Sequence, residues 1–255
     1  MFSIEHLHAL RTPEIDKIVA FFRPGARVLE LGAGTGHQAL DLFNRGVDIT
    51  AIEIPDSNYA QARVFSIIDY DGSHIPFDDA SFDIVFSSNV MEHIEDLHQI
   101  NREIQRVLRP DGYCVHVMPT HSWRFWTTLS AFPTAFQYAG ALKSQLLPRG
   151  IPGRSSIRNV ISAWLKVAHH LGAPFLQRRH GARGNIISEL WLFHPRWWRR
   201  AFREDGFEII KDEPMGLFYT GHMTLGAGLS LPRRERLAKL LGSACHLFMV
   251  QLTRH

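Results

Sequence analysis

Residues 28–38, VLELGAGTGHQ, place three glycines at alternate positions directly after an apolar run. The apolar residues predict a buried strand, and the residues from His37 onward predict a helix, so the glycines lie at a strand-to-helix turn. Because glycine has no Cβ atom, a ligand can approach the backbone closely at such a turn. Glu30 precedes the first glycine by two residues, and its carboxylate attracts positive charge. The turn therefore predicts a site for a nucleotide-like ligand that carries a cationic group.

Two further residues narrow the choice of ligand. The dinucleotide fingerprint G-x-G-x-x-G requires glycine at position 37, where this chain has His37. Glu30 would also repel the pyrophosphate of a dinucleotide, whereas the ammonium and sulfonium of S-adenosylmethionine are attracted to it. Glu53 ends the next predicted strand, where a carboxylate can accept both hydroxyl protons of a ribose, a feature common to both cofactors. These observations favour S-adenosylmethionine and disfavour an NAD-dependent oxidoreductase.

Four motifs in order carry a family resemblance over roughly 27–119: ELGAGTG, the acid of AIEI, D-x-x-x-I-P-F-x-D-x-S-F-D-I-V and E-I-x-R-V-L-R-P-D-G. The chain resembles class I S-adenosylmethionine-dependent methyltransferases, and within them the type 11 group. The resemblance implies that nine residues bind the cofactor. They are Glu30 near the methionine amino group, Gly32, Gly34 and Gly36 against the cofactor backbone, Glu53 on the ribose, Asp71 and Gly72 at the adenine, and Asn89 and Val90 on the floor of the site. For Asp71 and Gly72 a purely structural turn is the open alternative.

Two histidines are candidates for the chemistry of methyl transfer. An amine or thiolate acceptor needs little more than positioning, but a hydroxyl acceptor needs a base within hydrogen-bond reach. His93 follows the fourth predicted strand and His121 the fifth, so both lie at carboxyl ends of strands, where ligands bind in open α/β sheets. Either is predicted to be the base. The alternative for His93 is that it only shapes the pocket.

The elements that position these residues alternate between strands and helices, which predicts a parallel sheet covered on both faces. A helix is predicted to begin at Thr12-Pro13-Glu14, and others follow the strands, including one at 157–171. The predicted fold is α/β, a Rossmann-like class I methyltransferase fold. It has a seven-stranded mixed sheet, an antiparallel last strand around 246–252, and a helical cap inserted between strands 5 and 6. The strands are expected at 27–31, 48–54, 64–68, 82–88, 113–118, 207–213 and 245–252.

The segment 120–200 contains twelve lysines and arginines but one acid, Glu189, and it also holds twelve aromatic residues. We expect 1–119 to be the cofactor-binding part, 120–194 an aromatic and basic cap for the acceptor, and 195–255 the C-terminal part of the sheet. The stretch between Arg124 and Lys143 is uncharged but contains Pro133 and Gln137, which argues against a membrane-spanning helix. His180, Asn185 and Glu189 are predicted to contact the acceptor; loop geometry and a buried ion pair are the alternative.

The composition and the first residues limit the class of protein, its location and its ligands. A chain of 255 residues with 45% hydrophobic and 21% charged residues is typical of a folded enzyme. The first residues show no basic leader before an apolar run, so a cytoplasmic protein is expected, with peripheral contact to the inner face of a membrane left open. Cys114 and Cys245 are expected to be free thiols. No histidine spacing matches a metal site, so no metal is predicted, and nucleic acid is disfavoured because no binding module is present.

The predicted function is methyl transfer from S-adenosylmethionine to a hydroxyl of a sugar or lipid-linked glycan. This acceptor class is suggested by a likeness of the whole chain, including PTHSWRFW after the fifth strand, to bacterial methyltransferases of cell-surface glycan or lipid pathways. Two alternatives remain open: a methyltransferase of a small natural product with an oxygen or nitrogen acceptor, and a non-catalytic protein that only binds S-adenosylmethionine. The oligomeric state does not follow from the sequence.

Overall fold

In a computed structural model of the chain, residues 4–57, 60–141, 162, 164–166, 168, 178–221 and 228–253 are described. These residues form a sheet of seven strands in the order β3-β2-β1-β4-β5-β7-β6. The strands are β1 Arg27–Leu31, β2 Asp48–Glu53, β3 Ile67–Asp69, β4 Phe82–Ser88, β5 Leu108–Pro119, β6 Phe207–Pro214 and β7 Cys245–Leu252.

The sheet is mixed, as predicted. Strands β1 to β5 pair in parallel, whereas β7 lies antiparallel between β5 and β6. Strands β1, β2 and β3 follow one another in one direction across the sheet, and β4 then pairs with the other side of β1. This reversal is a topological switch point, and the crevice beyond the carboxyl ends of β1 and β4 is where open α/β sheets bind ligands.

Helices cover both faces of the sheet. The helices are α1 Ile4–Val19, α2 His37–Asn44, α3 Leu97–Val107, α4 His121–Ala141, α5 Glu189–Leu192, α6 Pro195–Glu204 and α7 Leu231–Leu241. Leu10, Ile18 and Leu42 from α1 and α2 belong to the core on one face. Ile104 and Phe202 from α3 and α6 belong to the core on the other. Because both faces are buried, the central strands read as continuous apolar runs rather than alternating ones.

The first helix differs from the sequence prediction. It begins at Ile4 instead of Thr12, so Pro13 lies inside it rather than at its first turn. An internal proline removes one helical hydrogen bond. Leu10 before the proline and Ile15 after it are both buried against the same core, and this packing extends the helix across the proline. Tertiary burial therefore outweighs the local helix-start pattern here.

The predicted cap is described only in part. Helix α4 follows β5 directly, but 142–161 and 169–177 lie outside the described residues, so the cap stays a prediction. Of the predicted helix at 157–171, the described residues 162, 164–166 and 168 are helical, and Trp164 and Leu165 are exposed. Across the described part of the chain, no helix combines the length and apolar composition needed to cross a membrane.

Candidate functional site

The glycine turn between β1 and α2 requires glycine for conformational and for steric reasons. Gly32, Gly34 and Gly36 have φ angles of +74°, +58° and +81°, a region that side-chain-bearing residues rarely adopt. A Cβ atom on Gly32 would lie 2.5 Å from the Val90 methyl groups, and one on Gly36 would lie 2.7 Å from the Phe65 Cβ atom. The structure thus brings the turn directly onto Val90, which the family resemblance had placed on the floor of the site.

Glu30 lies in β1 immediately before this turn. Its side chain is 1% exposed, and its Oε2 atom has no hydrogen-bond partner. Burial, reinforced by the nearby charge of Glu53, raises the pKa of Glu30 to about 8. A buried carboxylate without a partner is unfavourable unless a cation or a donor satisfies it. The unpaired carboxylate of Glu30 therefore fits a cofactor that brings an ammonium group to the glycine turn.

Glu53, at the end of β2, is tied to the same turn. Its Oε2 atom accepts a hydrogen bond of 2.7 Å from the Gly34 N–H, and its Oε1 atom accepts one of 2.8 Å from the Ile54 N–H. These bonds fix the orientation of the carboxylate. Because each carboxylate oxygen has two lone pairs, capacity remains to accept further hydrogen bonds from ligand hydroxyls.

Asp71 and Gly72 form a turn after β3. Asp71 is exposed, and its Oδ1 atom accepts hydrogen bonds of 2.7 Å from the N–H groups of Ser73 and His74, which lower the pKa of Asp71. Gly72 has a φ of +83°, and a Cβ atom there would lie 3.4 Å from the Cγ2 atom of Ile54. The turn role is thus visible in the structure, and the adenine contact stays a prediction.

Asn89 is held in a left-handed conformation at the end of β4. Its φ is +56°, its N–H donates to the Val117 carbonyl at 2.7 Å, and its Oδ1 atom lies 3.5 Å from the Cys245 thiol. The thiol in turn lies 3.0 Å from the Tyr219 hydroxyl, which donates to Glu14 at 3.1 Å. A row of buried polar contacts from α1 to β7 therefore supports Asn89. No local sequence pattern pointed to these contacts.

A carboxylate and two imidazoles meet beyond β4. Glu92 and His93 belong to the short 3₁₀ helix Met91–His93, where Glu92 is 1% exposed and neither of its oxygens has a hydrogen-bond partner. The His93 Nε2 atom lies 3.7 Å from Glu92 Oε1. The His180 ring lies 4.8 Å from the His93 ring and 4.6 Å from the Trp123 ring, measured between centroids. We call Glu92, His93 and His180 the Glu-His-His cluster.

Burial sets the protonation of this cluster. It raises the pKa of Glu92 to about 8, against the opposing effect of nearby arginines. It lowers the pKa of His93, assisted by the charge of Arg183, and it lowers the pKa of His180 to about 4, assisted by His93 and Arg124. Both imidazoles are therefore neutral at pH 7, the state in which a ring nitrogen can accept a proton or bind a metal ion.

The loop that carries His180 is attached to the backbone beside Glu92. The Ala182 N–H donates to the Glu92 carbonyl at 2.9 Å, and a Cβ atom on Gly181 would lie 2.7 Å from that carbonyl oxygen. The Arg183 guanidinium donates to the Ile94 carbonyl and lies over the ring of Trp197. These contacts hold His180 against the end of β4, although the two segments are far apart in sequence.

The other two predicted acceptor residues have structural partners. Glu189 is fully buried, lies 2.9 Å from the Arg124 Nε atom, and accepts hydrogen bonds from the N–H groups of His180 and Gly181. Asn185 is exposed, and its Oδ1 atom accepts from the N–H groups of the second and third residues after it, at the start of α5. Of the three predicted residues, the structure brings only His180 to the cluster, while Glu189 supports its loop.

His121 occupies a separate position at the start of α4. Its ring stacks on the His194 ring, with 4.5 Å between the centroids, and the Nδ1 atom of the ring is buried without a hydrogen-bond partner. Its backbone N–H donates to the Phe193 carbonyl. Burial, with the charge of His194, lowers the pKa of His121. It is therefore a third neutral imidazole, and it lies beyond the carboxyl end of β5.

Arg11 reaches the site from the first helix. Its guanidinium lies 3.1 Å from the Glu14 carboxylate and 3.4 Å from the Ser88 hydroxyl, and Gln38 donates to the same hydroxyl. Ser88 is the last residue of β4, so Arg11 and Gln38 approach the switch point from α1 and α2. Only the fold reveals this approach, because Arg11 precedes every motif in the sequence.

Comparison with known proteins agrees with this architecture. The sequence profile described as a methyltransferase domain matches residues 29–116. An uncharacterized methyltransferase of Mycobacterium sp. (strain KMS) is 28% identical over 188 residues, covering 70% of this chain and 71% of that protein. The ubiquinone biosynthesis O-methyltransferase of Xanthomonas campestris pv. campestris (strain B100) is 30% identical over 177 residues, covering 64% of this chain and 70% of that protein.

Solved structures show the same fold at lower sequence identity. An S-adenosylmethionine-dependent methyltransferase from Aquifex aeolicus superimposes with a TM-score of 0.51 at 12% identity, covering 99% of this chain and all of that one. One from Mesorhizobium loti superimposes with a TM-score of 0.52 at 16% identity, covering 93% of this chain and 97% of that one. These likenesses concern the fold alone.

Proposed function

This chain belongs to the class I S-adenosylmethionine-dependent methyltransferases, and we propose that it methylates a hydroxyl oxygen on the ring of a small molecule. When bound, S-adenosylmethionine supplies a methyl group activated by its sulfonium. The remaining question is how the residues of this chain hold the cofactor and prepare the acceptor.

We assign cofactor binding to the turn and the two acids beside it. Glu30 would accept the ammonium group, because its Oε2 atom is buried without a partner. Glu53 would accept the ribose hydroxyls with the lone pairs that the Gly34 and Ile54 N–H groups leave free. Gly32 and Val90 would form the wall against which the methionine part lies, since their contact leaves no space for a side chain between them.

The observation that carries the oxygen acceptor is the Glu-His-His cluster. An amine or thiolate acceptor would need only positioning, whereas a hydroxyl must lose its proton as the methyl group arrives. A neutral imidazole at His93, beside an unpaired Glu92, supplies a group that can accept this proton. His121 is the alternative proton acceptor, because it is also neutral and lies beyond the next strand.

The acceptor class follows the relatives rather than the glycan expected from the sequence. The Xanthomonas relative is named for ubiquinone biosynthesis, and a Beutenbergia cavernae relative, 34% identical over 97 residues that cover 36% of this chain and 40% of that protein, is a demethylmenaquinone methyltransferase. Both names point to quinone rings. An aromatic ring also suits a site bordered by Trp123 and His180, since ring faces stack favourably.

The test is a methyl-transfer assay with a matched acceptor panel. The purified chain is incubated with S-adenosylmethionine and a hydroxylated quinone precursor, the same ring bearing an amine in place of the hydroxyl, and a glycolipid, and methylated products are identified by mass spectrometry. We expect methylation of the ring hydroxyl. His93→Gln and His121→Gln are compared in parallel, and loss of the true base should lower turnover about 10²- to 10⁴-fold without weakening cofactor binding.

Each outcome separates the alternatives. Methylation of the amine but not the hydroxyl would refute the oxygen acceptor, and methylation of the glycolipid alone would restore the glycan assignment. Thermal stabilisation by S-adenosylhomocysteine, but not by NAD, checks the cofactor independently of turnover. Stabilisation without methylation of any acceptor would favour a protein that binds the cofactor but does not catalyse.

A further inference from the structure

The Glu-His-His cluster combines three side chains of the types that bind divalent transition metals. One ligand atom from each of Glu92, His93 and His180 lies within 4.8 Å of the others. Two histidines and one carboxylate form the protein ligands of many zinc and non-haem iron sites, which leave further positions open for water or substrate. Ligand atoms around such an ion are about 3.4 Å apart, as bond lengths near 2.1 Å require. The 3.7 Å between His93 Nε2 and Glu92 Oε1 is already close to this value.

Glu92 gives independent evidence that a cation belongs here. It is 1% exposed, and neither of its oxygens accepts a hydrogen bond. Arg183 lies near Glu92 but forms no ion pair with it in the described structure. The Arg183 guanidinium instead donates to the Met91 and Ile94 carbonyls. A buried carboxylate in this state is strongly unfavourable, and a bound cation would remove the penalty.

Backbone contacts hold the loop that carries His180 beside Glu92. The His180 N–H and Gly181 N–H groups donate to Glu189, which Arg124 neutralises. The loop is also bonded to the Glu92 carbonyl through Ala182. The backbone at His180 therefore cannot move away from Glu92 without breaking these hydrogen bonds.

The exposure of the cluster is uneven in a way that suits a site open to substrate. Glu92 is buried, while His93 and His180 both reach the surface of the described structure. An ion held here would be covered by protein on the carboxylate side and open on the side of the imidazole edges. The sequence did not suggest the site, because His180 lies in a segment distant from Glu92 and His93.

We propose that Glu92, His93 and His180 bind a divalent transition-metal ion such as Zn²⁺. Binding of the ion rests on the cluster geometry and on the missing partners of Glu92, and it does not depend on the proposed function. Its role rests on the proposed function: the ion would coordinate the acceptor hydroxyl, and its charge would favour release of the hydroxyl proton to solvent. The oxygen would then bond to the methyl carbon as the bond from that carbon to sulfur breaks, with S-adenosylhomocysteine as the leaving group. In that case His93 acts as a ligand, and the ion replaces it as the group that activates the hydroxyl.

The test measures metal binding in the absence of cofactor and acceptor. The full chain is treated with a chelator, dialysed, and titrated with Zn²⁺ by calorimetry; Co²⁺ is added in parallel because its visible spectrum reports coordination. We expect one site per chain in the parent. His180→Gln and Glu92→Gln should each weaken binding at least about ten-fold. His98→Gln, which changes an exposed histidine outside the cluster, should bind as the parent does. Circular dichroism confirms that each variant is folded.

The outcomes are distinct from those of the methyl-transfer assay. Absence of Zn²⁺ binding in the parent, or equal affinity in His180→Gln and the parent, overturns the metal site whatever the enzyme methylates. If Glu92→Gln does not fold, the folded His180→Gln variant still decides. Zn²⁺ binding that depends on His180, together with no methylation of any hydroxyl, would support the site and refute the proposed acceptor.

Discussion

Replacing Glu30 by glutamine should weaken cofactor binding and at the same time stabilise the cofactor-free protein at neutral pH. The parent carboxylate has a pKa of about 8 in the folded state, against an ordinary value of 4.5. Between these values the folded protein holds a proton that the unfolded chain releases, so the free energy of unfolding falls as pH rises. At pH 7 this linkage costs the folded state about 3 kcal/mol. Glutamine cannot ionise and removes the cost.

The pH dependence is a cleaner readout than the absolute stability. Burying the amide of glutamine adds an offset of about 1–3 kcal/mol that does not change with pH. We therefore compare the free energies of unfolding of Glu30→Gln and the parent by denaturant titration at pH 5 and pH 7.5. The difference between the two proteins should shift by about 3 kcal/mol in favour of the variant over this interval. Glu95→Gln, at an exposed position, serves as the control and should follow the parent.

Cofactor affinity gives the second half of this prediction. Loss of a hydrogen bond to a charged group should weaken S-adenosylmethionine binding by about 1.5–3 kcal/mol, which is roughly ten- to hundred-fold in the dissociation constant. Calorimetry at pH 7.5 measures it. A flat stability difference between pH 5 and pH 7.5 would show that Glu30 is not desolvated as described. Unchanged affinity would remove it from the cofactor site.

Three further changes test other parts of the site. Gly32→Ala should lower the melting temperature more than Gly25→Ala, because both have a φ near +73° but only the former meets side-chain atoms within 4 Å; equal losses would mean that backbone strain alone requires the glycine. Glu53→Ala should weaken cofactor binding about ten- to hundred-fold by calorimetry, and parental affinity would refute the ribose assignment. Changing the exposed Arg178 and Arg179 together to serine should reduce co-sedimentation with anionic vesicles at low salt, and no binding by the parent would leave membrane contact without support.

Arg183 is left unchanged in the vesicle experiment, although the sequence alone would group it with Arg178 and Arg179. A triple change including Arg183 would treat the arginines of the basic segment as equivalent surface charges. The Arg183 side chain instead donates to the Met91 and Ile94 carbonyls beside the Glu-His-His cluster. Loss of acceptor activity in that triple variant would therefore not distinguish charge attraction from disruption of the cluster, and Arg183 is best left in place.

The sequence was most informative where the site is built from neighbouring residues. The glycine turn, Glu30 and the end of β2 follow from short motifs, and the structure brings them together through the Gly34 to Glu53 hydrogen bond. The antiparallel β7 was also predicted, although it rested on family resemblance rather than on residue periodicity. The start of α1 was wrong, because a local capping pattern at Thr12 competes with burial of Leu10 upstream.

Contacts between distant segments could not be predicted in the same way. His180 was singled out for a polar loop, but nothing in its surroundings indicated that it would meet His93. Glu189 stood out as the lone acid of a basic segment, and its chemistry allowed either an acceptor contact or an ion pair. The choice between them depends on Arg124, which α4 brings next to it. Such pairings arise from packing and leave no periodic pattern in the chain.

The partners of the buried acids distinguish structural carboxylates from those that await a ligand. Glu14, Glu103 and Glu189 are buried, and each lies within 3.1 Å of an arginine nitrogen. Glu30 and Glu92 are also buried, but none of the described ion pairs joins either of them to an arginine, and burial raises the pKa of each to about 8. These two acids lie at and just beyond the carboxyl ends of the adjacent strands β1 and β4. An unpaired buried carboxylate destabilises the native state. Stability alone would therefore favour a basic partner for each acid, or an uncharged residue in its place. The cationic partner that each acid lacks is therefore best explained as part of a ligand: the ammonium group of the cofactor at Glu30 and a metal ion at Glu92.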